Sequence, residues 1–445
     1  MATIRFYTRT KINKLATVFI RFTDGRQIDF RIPTPYRIYP DYWNEEKQTL
    51  KQRILYTEVF TESEAKDIED KFNQLKDYIL REHFKLTAPA SKEWLRANID
   101  KFYYKGTPGK ETLNEYIKRF IKEIKSGERL YKGKRYEPST IKNYTGFEVQ
   151  FQEYQGIYTE ERLQELKDKK EPIRPLKMVN FEDITIDFYK QFLHFFNCKG
   201  YSPNTTGRHI KHLKVIMREA KEEGLHNNSE YQRKAFEAMT SKVENVYLTE
   251  SELKKLYDLD LSDNKSNGII RDVFLCGCYT AQRFSDYSRI NKSMVKPIAG
   301  GKVIELIQQK TKEKCIIPIR QELDLILKKY DYSLPKTYEQ KVNEGIKKIA
   351  LKAEITEIIS YEENRGGLRI KKSVKKCDLI KTHSARRTGC TNMYLAGIDT
   401  LSIMKISGHK TEREFLKYIK IGKEENALSL ISHPYFIGNI LKAVN

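Results

Sequence analysis

Apolar and polar positions alternate near the start of the chain, as they do in β-strands. Residues 15–23 and 27–33 show this alternation, and Asp24-Gly25 between them is a strong signal for a hairpin turn. From about residue 62 to 83 the spacing becomes helical and places one apolar stripe on Phe72, Leu75 and Ile79. The pattern therefore predicts a small β-rich domain that includes a helix. A linker is predicted at the GTPG sequence of residues 106–109.

The pattern is helical from Thr112 to about Leu225. Its last helix is predicted to begin at Ser202-Pro203, an N-cap residue followed by a proline suited to the first turn, and to stop at Gly224. One face of this helix is apolar, and the opposite face carries Arg208, His209, Lys211, His212, Lys214 and Arg218. That basic face either lies against phosphates or is simply solvated. Nothing near its two histidines completes a metal site.

Thr249 and Glu252 have capping-box spacing, and we place the last domain boundary just before them. Beyond this point the pattern predicts a helix, a pair of strands at residues 303–309 and 314–319, and further helices. Near the end of the chain Gly397 is a helix stop, and Asp399 or Thr400 is the next N-cap. The helix that follows is predicted to bury Leu401, Ile403, Met404 and Ile406 and to end at Gly408.

Composition narrows the possible partners of the chain. Its 445 residues, enough for two to four domains, include 82 Lys and Arg against 60 Asp and Glu, a formal net charge of +22. This excess favours a polyanion such as nucleic acid, although a lysine-rich solvated surface has the same composition. The six cysteines are scattered, as reduced core thiols of a cytosolic protein are. No apolar stretch is long enough for a membrane span, and we expect a cytoplasmic protein.

The densest group of candidate chemical residues lies close to the carboxyl end. His383 and Arg386 are three residues apart and share one face if the segment is helical. Free amides at a helix start, together with a guanidinium, favour a phosphate. His409 follows the predicted helix end at Gly408. Thr411 and Glu414 have capping-box spacing, which predicts a short helix from which Tyr418 points away from the packed face.

In these motifs the sequence resembles the tyrosine recombinase (phage integrase) family, and in particular the integrases of conjugative transposons. The family's first arginine matches Arg283 in TAQRFSD at 280–286, where Ala281 replaces the usual glycine. Its hairpin lysine matches Lys310 best, with Lys312 as the second choice. His383 and Arg386 match the His-x-x-Arg box. His409 matches the histidine after glycine, and Tyr418, nine residues later, matches the nucleophile.

The resemblance implies a mechanism that agrees with elementary phosphate chemistry. Two arginines and His409 would contact the scissile phosphate, because an anionic transition state needs fixed positive donors. A phenol, whose reference pKa is about 10, must lose its proton to attack, and His383 is the candidate acceptor. Lys310 is the candidate general acid for the leaving 5′ oxygen. The product would be a 3′-phosphotyrosyl intermediate, formed without ATP, metal or other cofactor. Asp286 is expected to orient one of the residues of this site rather than to react itself.

The resemblance also implies a mainly α, three-domain architecture. Residues 1–105 would be a β-rich arm-type DNA-binding domain, residues 106–228 a helical core-binding domain, and residues 246–445 a mixed helical catalytic domain with a small antiparallel sheet. The expected partners are double-stranded DNA with core and arm sites, three further protomers in a tetramer, and accessory DNA-bending or excision factors. The tail ALSLISHPYFIGNILKAVN would dock on a neighbouring protomer or on its own domain.

Two other functions have the same fold. A type IB topoisomerase-like enzyme would relax DNA that lacks any special site. A non-catalytic DNA-binding regulator would bind DNA without becoming covalently attached to it. The full set of candidate catalytic residues favours a site-specific recombinase that integrates or excises a mobile element.

Overall fold

The fold is described from a computed structural model. The structure describes residues 2–10, 16–52, 54, 56, 61–103 and 111–419, together with residues 427, 430, 431 and 434–437. The chain forms two compact units, one of residues 1–241 with 364–369 and the other of residues 242–363 with 370–445. The predicted linker at 106–109 and most of the predicted docking tail lie outside the described residues.

The first unit begins with an antiparallel sheet of three strands, β1 (Thr3–Thr8), β2 (Ala16–Asp24) and β3 (Ile28–Ile38), in that spatial order. Gly25 has φ of +60°, the left-handed region that the hairpin turn requires, so the turn is confirmed. Strand residues alternate between buried and exposed positions, and the buried side faces a core that contains Phe6, Phe22 and Phe72. A short ribbon follows, of β4 (Trp43–Asn44) and β5 (Thr49–Leu50).

Helices α1 (Glu62–Phe84) and α2 (Lys92–Tyr103) cover the buried side of this sheet. The side chain of Thr61 accepts a hydrogen bond from the Glu64 amide, and the Glu64 carboxylate accepts one from the Thr61 amide. This capping box satisfies two amides at the start of α1. The predicted helix at residues 62–83 is confirmed, since its apolar stripe lies in the core.

Four more helices build a separate aromatic core within the first unit: α3 (Leu113–Ser126), α4 (Pro138–Tyr154), α6 (Ile186–Cys198) and α7 (Pro203–Glu222). Between α4 and α6 the chain forms α5 (Glu160–Asp168). The N-cap of α7 is Ser202, as predicted, because its hydroxyl accepts from the Thr205 amide. Met239 lies against Gly207 of α7, where a Cβ would meet the Met239 carbonyl oxygen at 2.0 Å.

The expectation of an open basic face on α7 is wrong for two of its six residues. His209 is buried and stacks on Phe196, with ring centroids 4.9 Å apart, and the His212 ring lies 4.2 Å from that of Tyr144. Burial lowers the pKa of each histidine to about 4, so both are neutral at pH 7. These residues belong to the aromatic core, because an uncharged imidazole packs much as a small aromatic ring does.

Ion pairs join α1 to the segment of residues 174–183, between α5 and α6, inside the first unit. Glu64 and Arg174 form a buried pair, and Lys177 Nζ lies 2.8 Å from Asp67 Oδ2. Lys71 Nζ lies 2.7 Å from Asp183 Oδ1. Removing one partner of a buried pair leaves an uncompensated charge, which costs more than the pair contributes. The three ion pairs therefore fix how α1 lies along residues 174–183.

The described residues of the second unit form the helices α8 (Glu250–Asp258), α9 (Lys265–Thr280), α10 (Phe284–Tyr287), α11 (Gln321–Lys329), α12 (Glu339–Lys352), α13 (Lys376–Leu379), α14 (Thr382–Leu395), α15 (Thr400–Ser407), α16 (Glu412–Leu416) and α17 (Pro434–Ile437). An antiparallel sheet runs β6 (Val295–Ile298), β7 (Gly301–Ile307) and β8 (Lys314–Pro318). The predicted strand pair is confirmed as β7 and β8, and β6 is an additional edge strand. In the part of the chain that is described, no helix is both long and apolar enough to cross a membrane.

A second pair of strands, β9 (Ile358–Arg365) and β10 (Leu368–Lys375), was not predicted. The two strands form a separate antiparallel ribbon, and none of their residues is fully buried. A ribbon without a buried face has no strong alternation of apolar and polar residues to reveal it. The Gly366-Gly367 turn, where both residues have positive φ, was the available signal.

Two glycines let α9 and α14 approach closely at the centre of the second unit. A Cβ on Gly277 would meet the Tyr287 ring at 2.5 Å, and one on Gly389 would meet the Cys278 carbonyl oxygen at 2.3 Å. Side chains at either position would push the helices apart, because interiors are close-packed. The approach brings the carboxyl end of α9 next to the first turns of α14.

We expect Gly389→Ala to lower the free energy of unfolding by roughly 1–3 kcal/mol, because the added methyl group meets backbone that cannot move aside. The matched control is Gly268→Ala within α9, where no atom lies within 4 Å of the added Cβ. This control should raise stability by about 0.5–1 kcal/mol. Urea denaturation of the full chain measures both values. Equal effects of the two substitutions would contradict close packing at Gly389.

Candidate active site

Arg283 follows a sharp turn at the end of α9. Ala281 caps the helix with φ of +53° and ψ of +26°, a left-handed conformation that glycine adopts more readily. The turn therefore forms although alanine stands at the position where the resemblance leads one to expect glycine. The Arg283 guanidinium is fixed by its Nη1, which donates to Gln308 Oε1 at 2.9 Å.

Arg386 lies on the first turns of α14 and is fully buried. Its Nη1 donates to the carbonyl oxygens of Ala281, at 3.0 Å, and of Ser407, at 2.7 Å. Its Nε is buried and has no hydrogen-bond partner among the described residues. Burial and the neighbouring Arg283 lower the pKa of Arg386. Two carbonyl dipoles thus hold a guanidinium that forms no ion pair with a carboxylate of the described residues.

His409 lies just beyond Gly408, the left-handed C-cap of α15. Arg386 Nη2 donates to His409 Nε2 at 2.9 Å, and Ser407 Oγ lies 2.7 Å from His409 Nδ1. Since Ser407 Oγ itself donates to the Ile403 carbonyl oxygen, His409 carries its proton on Nδ1 and donates to Ser407. In the DNA-free site His409 therefore accepts from Arg386.

His383 is the second residue of α14, on the face it shares with Arg386. Asn343 Oδ1 accepts from the Thr382 amide at 2.7 Å, and Glu339 Oε1 accepts from the Thr382 hydroxyl at 2.7 Å. The start of α12 thereby fixes the start of α14. The predicted helical placement of the His-x-x-Arg box is confirmed.

Tyr418 follows α16, whose N-cap is Thr411 as predicted. Its ring centroid lies 4.6 Å from that of His409 and 5.2 Å from that of His383. Phe415 is fully buried, and Tyr418 is half-buried.

The prediction that the preceding helix α15 buries Leu401 is wrong, because Leu401 is exposed. Leu401 lies in the first turn, on the side of α15 away from Ile403.

Lys310 lies in the turn between β7 and β8, as the sequence suggests. Lys312, the alternative, has φ of +57° in the same turn. Asp286 is buried, and its Oδ1 accepts from the amide of Gln309 at 2.8 Å. Asp286 thus contacts the backbone next to Lys310, and its role in orienting a residue of the site stays a prediction.

The side chains of Arg283, Lys310, His383, His409 and Tyr418 line one cavity of about 530 Å³. Arg386 lies behind it, with its Cζ 5.3 Å from the centroid of the Tyr418 ring. Lys312 does not line the cavity. Within the described ranges, no three His, Cys, Asp or Glu side chains are placed to hold a metal ion together. The structure thus gathers five of the six candidate residues around one concave, cationic space and places the sixth at its wall.

The two histidines of the cavity are neutral at pH 7. Burial, helped by the charges of Arg387 and Arg386, lowers the pKa of His383 to about 4. Burial and the charges of Arg386 and Arg283 lower that of His409 to about 3. His409 is half-buried, so a proton on its ring would be poorly solvated, whereas His383 is exposed. On either ring a proton would be repelled by guanidinium groups. A neutral imidazole can accept a proton, which an imidazolium cannot.

Two residues of the site were missed from sequence. Gln308 is fully buried and contacts Arg283, and Arg387 lies with its Cζ 5.7 Å from the Tyr418 ring centroid. Arg387 adjoins the predicted arginine, but neighbours on a helix point in different directions, so its sequence position did not indicate proximity to Tyr418. Gln308 had only its position two residues before Lys310 as a signal.

Comparison with known families gives two matches. The model of the phage integrase family matches residues 246–425, and that of the phage integrase SAM-like domain matches residues 112–238. Together these matches cover more than half of the chain. No curated protein matches it.

Several solved structures are similar to the chain at low sequence identity. A lambda integrase dimer bound to a COC′ core site is 17% identical, with 94% of each chain covered and a TM-score of 0.49. A lambda integrase tetramer bound to a Holliday junction is 17% identical, with 92% of this chain and 96% of that chain covered and a TM-score of 0.47. The Tn1549 transposon integrase in complex with transposon right end DNA is 12% identical, with 72% and 98% covered and a TM-score of 0.49. These similarities are too distant to assign a function.

We expect His383 and His409 to stay neutral in the DNA-free protein at pH 6, well above their lowered pKa values. Because the folded state binds fewer protons than the unfolded state between those values and about pH 6.5, this part of the stability is lost as pH falls through that window. NMR titration of the ¹⁵N-histidine-labelled full chain measures both groups, with His383→Gln and His409→Gln for assignment. Protonation of either ring near pH 6.5 would contradict the burial argument.

Proposed function

Because the chain belongs to the phage integrase family of tyrosine recombinases, a family of site-specific DNA recombinases, we propose that the cavity around Tyr418 is where it breaks and rejoins duplex DNA. The observation that carries the proposal is the convergence of cationic, basic and nucleophilic side chains on one cavity. Residues far apart in sequence meet there, from the N-cap of α10, the β7–β8 turn, α14, and the segments after α15 and α16.

The scissile phosphate binds against Arg283 and Arg386. Both guanidiniums are fixed before DNA arrives, by Gln308 in one case and by backbone carbonyls in the other. Donors that need no reorganisation stabilise the charge that develops on the phosphate oxygens. The bond between Arg386 Nη2 and His409 Nε2 gives way as the phosphate enters. His409 then donates to the same phosphate in the tautomer that carries its proton on Nε2, while Ser407 Oγ donates to Nδ1.

Tyr418 is the nucleophile, and His383 takes its proton. The Tyr418 oxygen forms a bond to phosphorus while the bond from phosphorus to the 5′ oxygen breaks. The phenol proton moves to His383, whose neutral imidazole lies beside the ring. Lys310, at the rim of the cavity, gives a proton to the departing 5′ oxygen. The 3′-phosphotyrosyl product keeps the energy of the broken bond, so the reverse steps rejoin DNA without ATP.

The N-terminal sheet serves as an arm-type DNA-binding surface. Arg5, Arg21 and Arg31 lie directly opposite one another across β1, β2 and β3 and form a row on the exposed side. Asp29 pairs with two of them, at 2.9 Å from Arg21 and 3.2 Å from Arg31. DNA phosphates compete with this single carboxylate for a row of three guanidiniums.

The full reaction integrates or excises a mobile element, of the conjugative-transposon kind that the sequence resembles. Four protomers act on two paired DNA sites, and accessory DNA-bending or excision factors assist them. The reaction takes place in the cytoplasm, a compartment that suits the free thiols of the six cysteines. The helical domain around α3–α7 contacts the core site, and the N-terminal sheet contacts the arm site.

We expect Tyr418→Phe to abolish recombination between two plasmids that carry the element's end sequences, because only the nucleophilic hydroxyl is lost. Binding to the same DNA should stay within about twofold, since many other cations hold the duplex. The matched control is Tyr257→Phe, at a tyrosine of α8 that does not line the cavity. Relaxation of plasmids without the end sequences would indicate a topoisomerase. Recombination by Tyr418→Phe would remove this residue from the mechanism.

We expect Arg21→Ala to weaken binding to DNA that contains an arm site and to reduce the slope of log K against log salt by about 1, the value for one lost phosphate contact. The control is Arg96→Ala, an exposed arginine on α2 outside the row. Binding isotherms at several salt concentrations measure both variants. An unchanged slope for Arg21→Ala would exclude the row from DNA contact.

A further inference from the structure

Gln308 is fully buried and directly follows β7, at the start of the turn that carries Lys310. Its Oε1 accepts from Arg283 Nη1 at 2.9 Å and from Thr311 Oγ1 at 2.5 Å. Its Nε2 donates to Gln282 Oε1 at 2.6 Å and to the Ser407 carbonyl oxygen at 2.7 Å. Both amide protons and both lone pairs of the side chain are therefore used.

The backbone of Gln308 closes the same turn. Its amide donates to the Glu313 carbonyl oxygen at 2.8 Å, and its carbonyl accepts from the Lys312 amide at 3.0 Å. Lys310 lies between these anchored positions. The hydrogen bond from Thr311 to the Gln308 side chain also fixes the residue that follows Lys310. Gln308 therefore holds the backbone of the turn both before and after Lys310.

Gly408 leaves room for this amide. A Cβ at position 408 would meet the Gln308 side chain at 2.6 Å, and Gly408 also has φ of +69°. The backbone from Ser407 to His409 therefore packs directly against the Gln308 side chain. The amide touches three parts of the site at once, namely the turn of Lys310, the guanidinium of Arg283 and the backbone beside His409.

We propose that Gln308 is a positioning residue that sets the place of Lys310 relative to the two phosphate-binding segments. This inference rests on the proposed function, because it concerns the delivery of a proton from Lys310 to the leaving 5′ oxygen. Gln308 itself does not touch DNA. Its four hydrogen bonds give the turn one arrangement relative to Arg283 and Ser407, and a buried, fully satisfied polar network specifies such an arrangement better than apolar packing does.

The test is Gln308→Met, which keeps the size of the side chain and removes all four bonds. We expect cleavage of a suicide DNA substrate to slow by about 10- to 100-fold, the scale of a catalytic group displaced by about 1 Å. The matched control is Gln309→Met, whose side chain is exposed and whose backbone bond to Asp286 is kept. DNA affinity and the unfolding temperature of each variant show whether it is folded.

A second substrate separates an effect on Lys310 from an effect on the phosphate. With sulfur in place of the bridging 5′ oxygen, the leaving thiolate needs no proton, because a thiol has a pKa of about 8.5. We expect this substrate to restore the Gln308→Met rate to within about threefold of wild type. We also expect Gln308→Met to add little to Lys310→Ala, since both act on one step.

The outcomes are distinct. If wild type forms no covalent adduct, the proposed function fails. If wild type forms the adduct and Gln308→Met cleaves oxygen DNA at the wild-type rate, the inference on Gln308 is overturned and the proposed function stands. Slow cleavage of both substrates would mean that Gln308 acts through Arg283, which also overturns a role through Lys310. If Gln308→Met does not fold, Gln282→Met takes its place, because it removes one hydrogen bond of the Gln308 side-chain amide. Cleavage of the oxygen and sulfur substrates by Gln282→Met then tests the role of Gln308 in the same way.

Discussion

Burial of the Arg386 guanidinium is the constraint on which the second unit depends. A charge removed from water is costly unless polar groups surround it, and here two backbone carbonyls supply most of the compensation. The Ala281 carbonyl reaches Arg386 because Ala281 takes a left-handed turn, and the Ser407 carbonyl reaches it because α15 ends at Gly408. Close packing of α9 on α14 at Gly389 makes the arrangement possible.

This arrangement also explains the protonation of the site. Burial and the guanidiniums gathered nearby both oppose a further positive charge, so His383 and His409 stay neutral. One histidine is thereby ready to accept a proton from Tyr418, while the other accepts a hydrogen bond from Arg386. An incoming phosphate supplies the missing negative charge. The repulsion among the cations of the free protein is thus relieved when the phosphate binds, and this relief adds to the affinity for the phosphate.

Local patterns predicted much of the fold. The strands β2 and β3, the helices α1 and α7 and the turn at Gly25 follow from alternation, helical spacing and glycine, all of which act over a few residues. The burial of His209 and the exposure of Leu401 did not follow, because each depends on what packs against a helix from elsewhere in the chain. The β9–β10 ribbon was missed since it buries neither face.

The candidate site divides in the same way. Residues that act by their own chemistry, such as Arg283, Arg386 and Tyr418, stand in motifs whose order and spacing are visible in the sequence. Gln308 and Arg387 owe their places to contacts with residues far away in sequence, and an isolated glutamine or a second arginine carries no signal of such contacts.

The most direct test of the central claim is incubation of the full chain with nicked suicide DNA from the ends of its element, in EDTA, followed by peptide mapping of the adduct. The account predicts a covalent 3′-phosphotyrosyl bond at Tyr418 that forms without metal. Tight binding to the same DNA with no adduct, or an adduct on another residue, would contradict it.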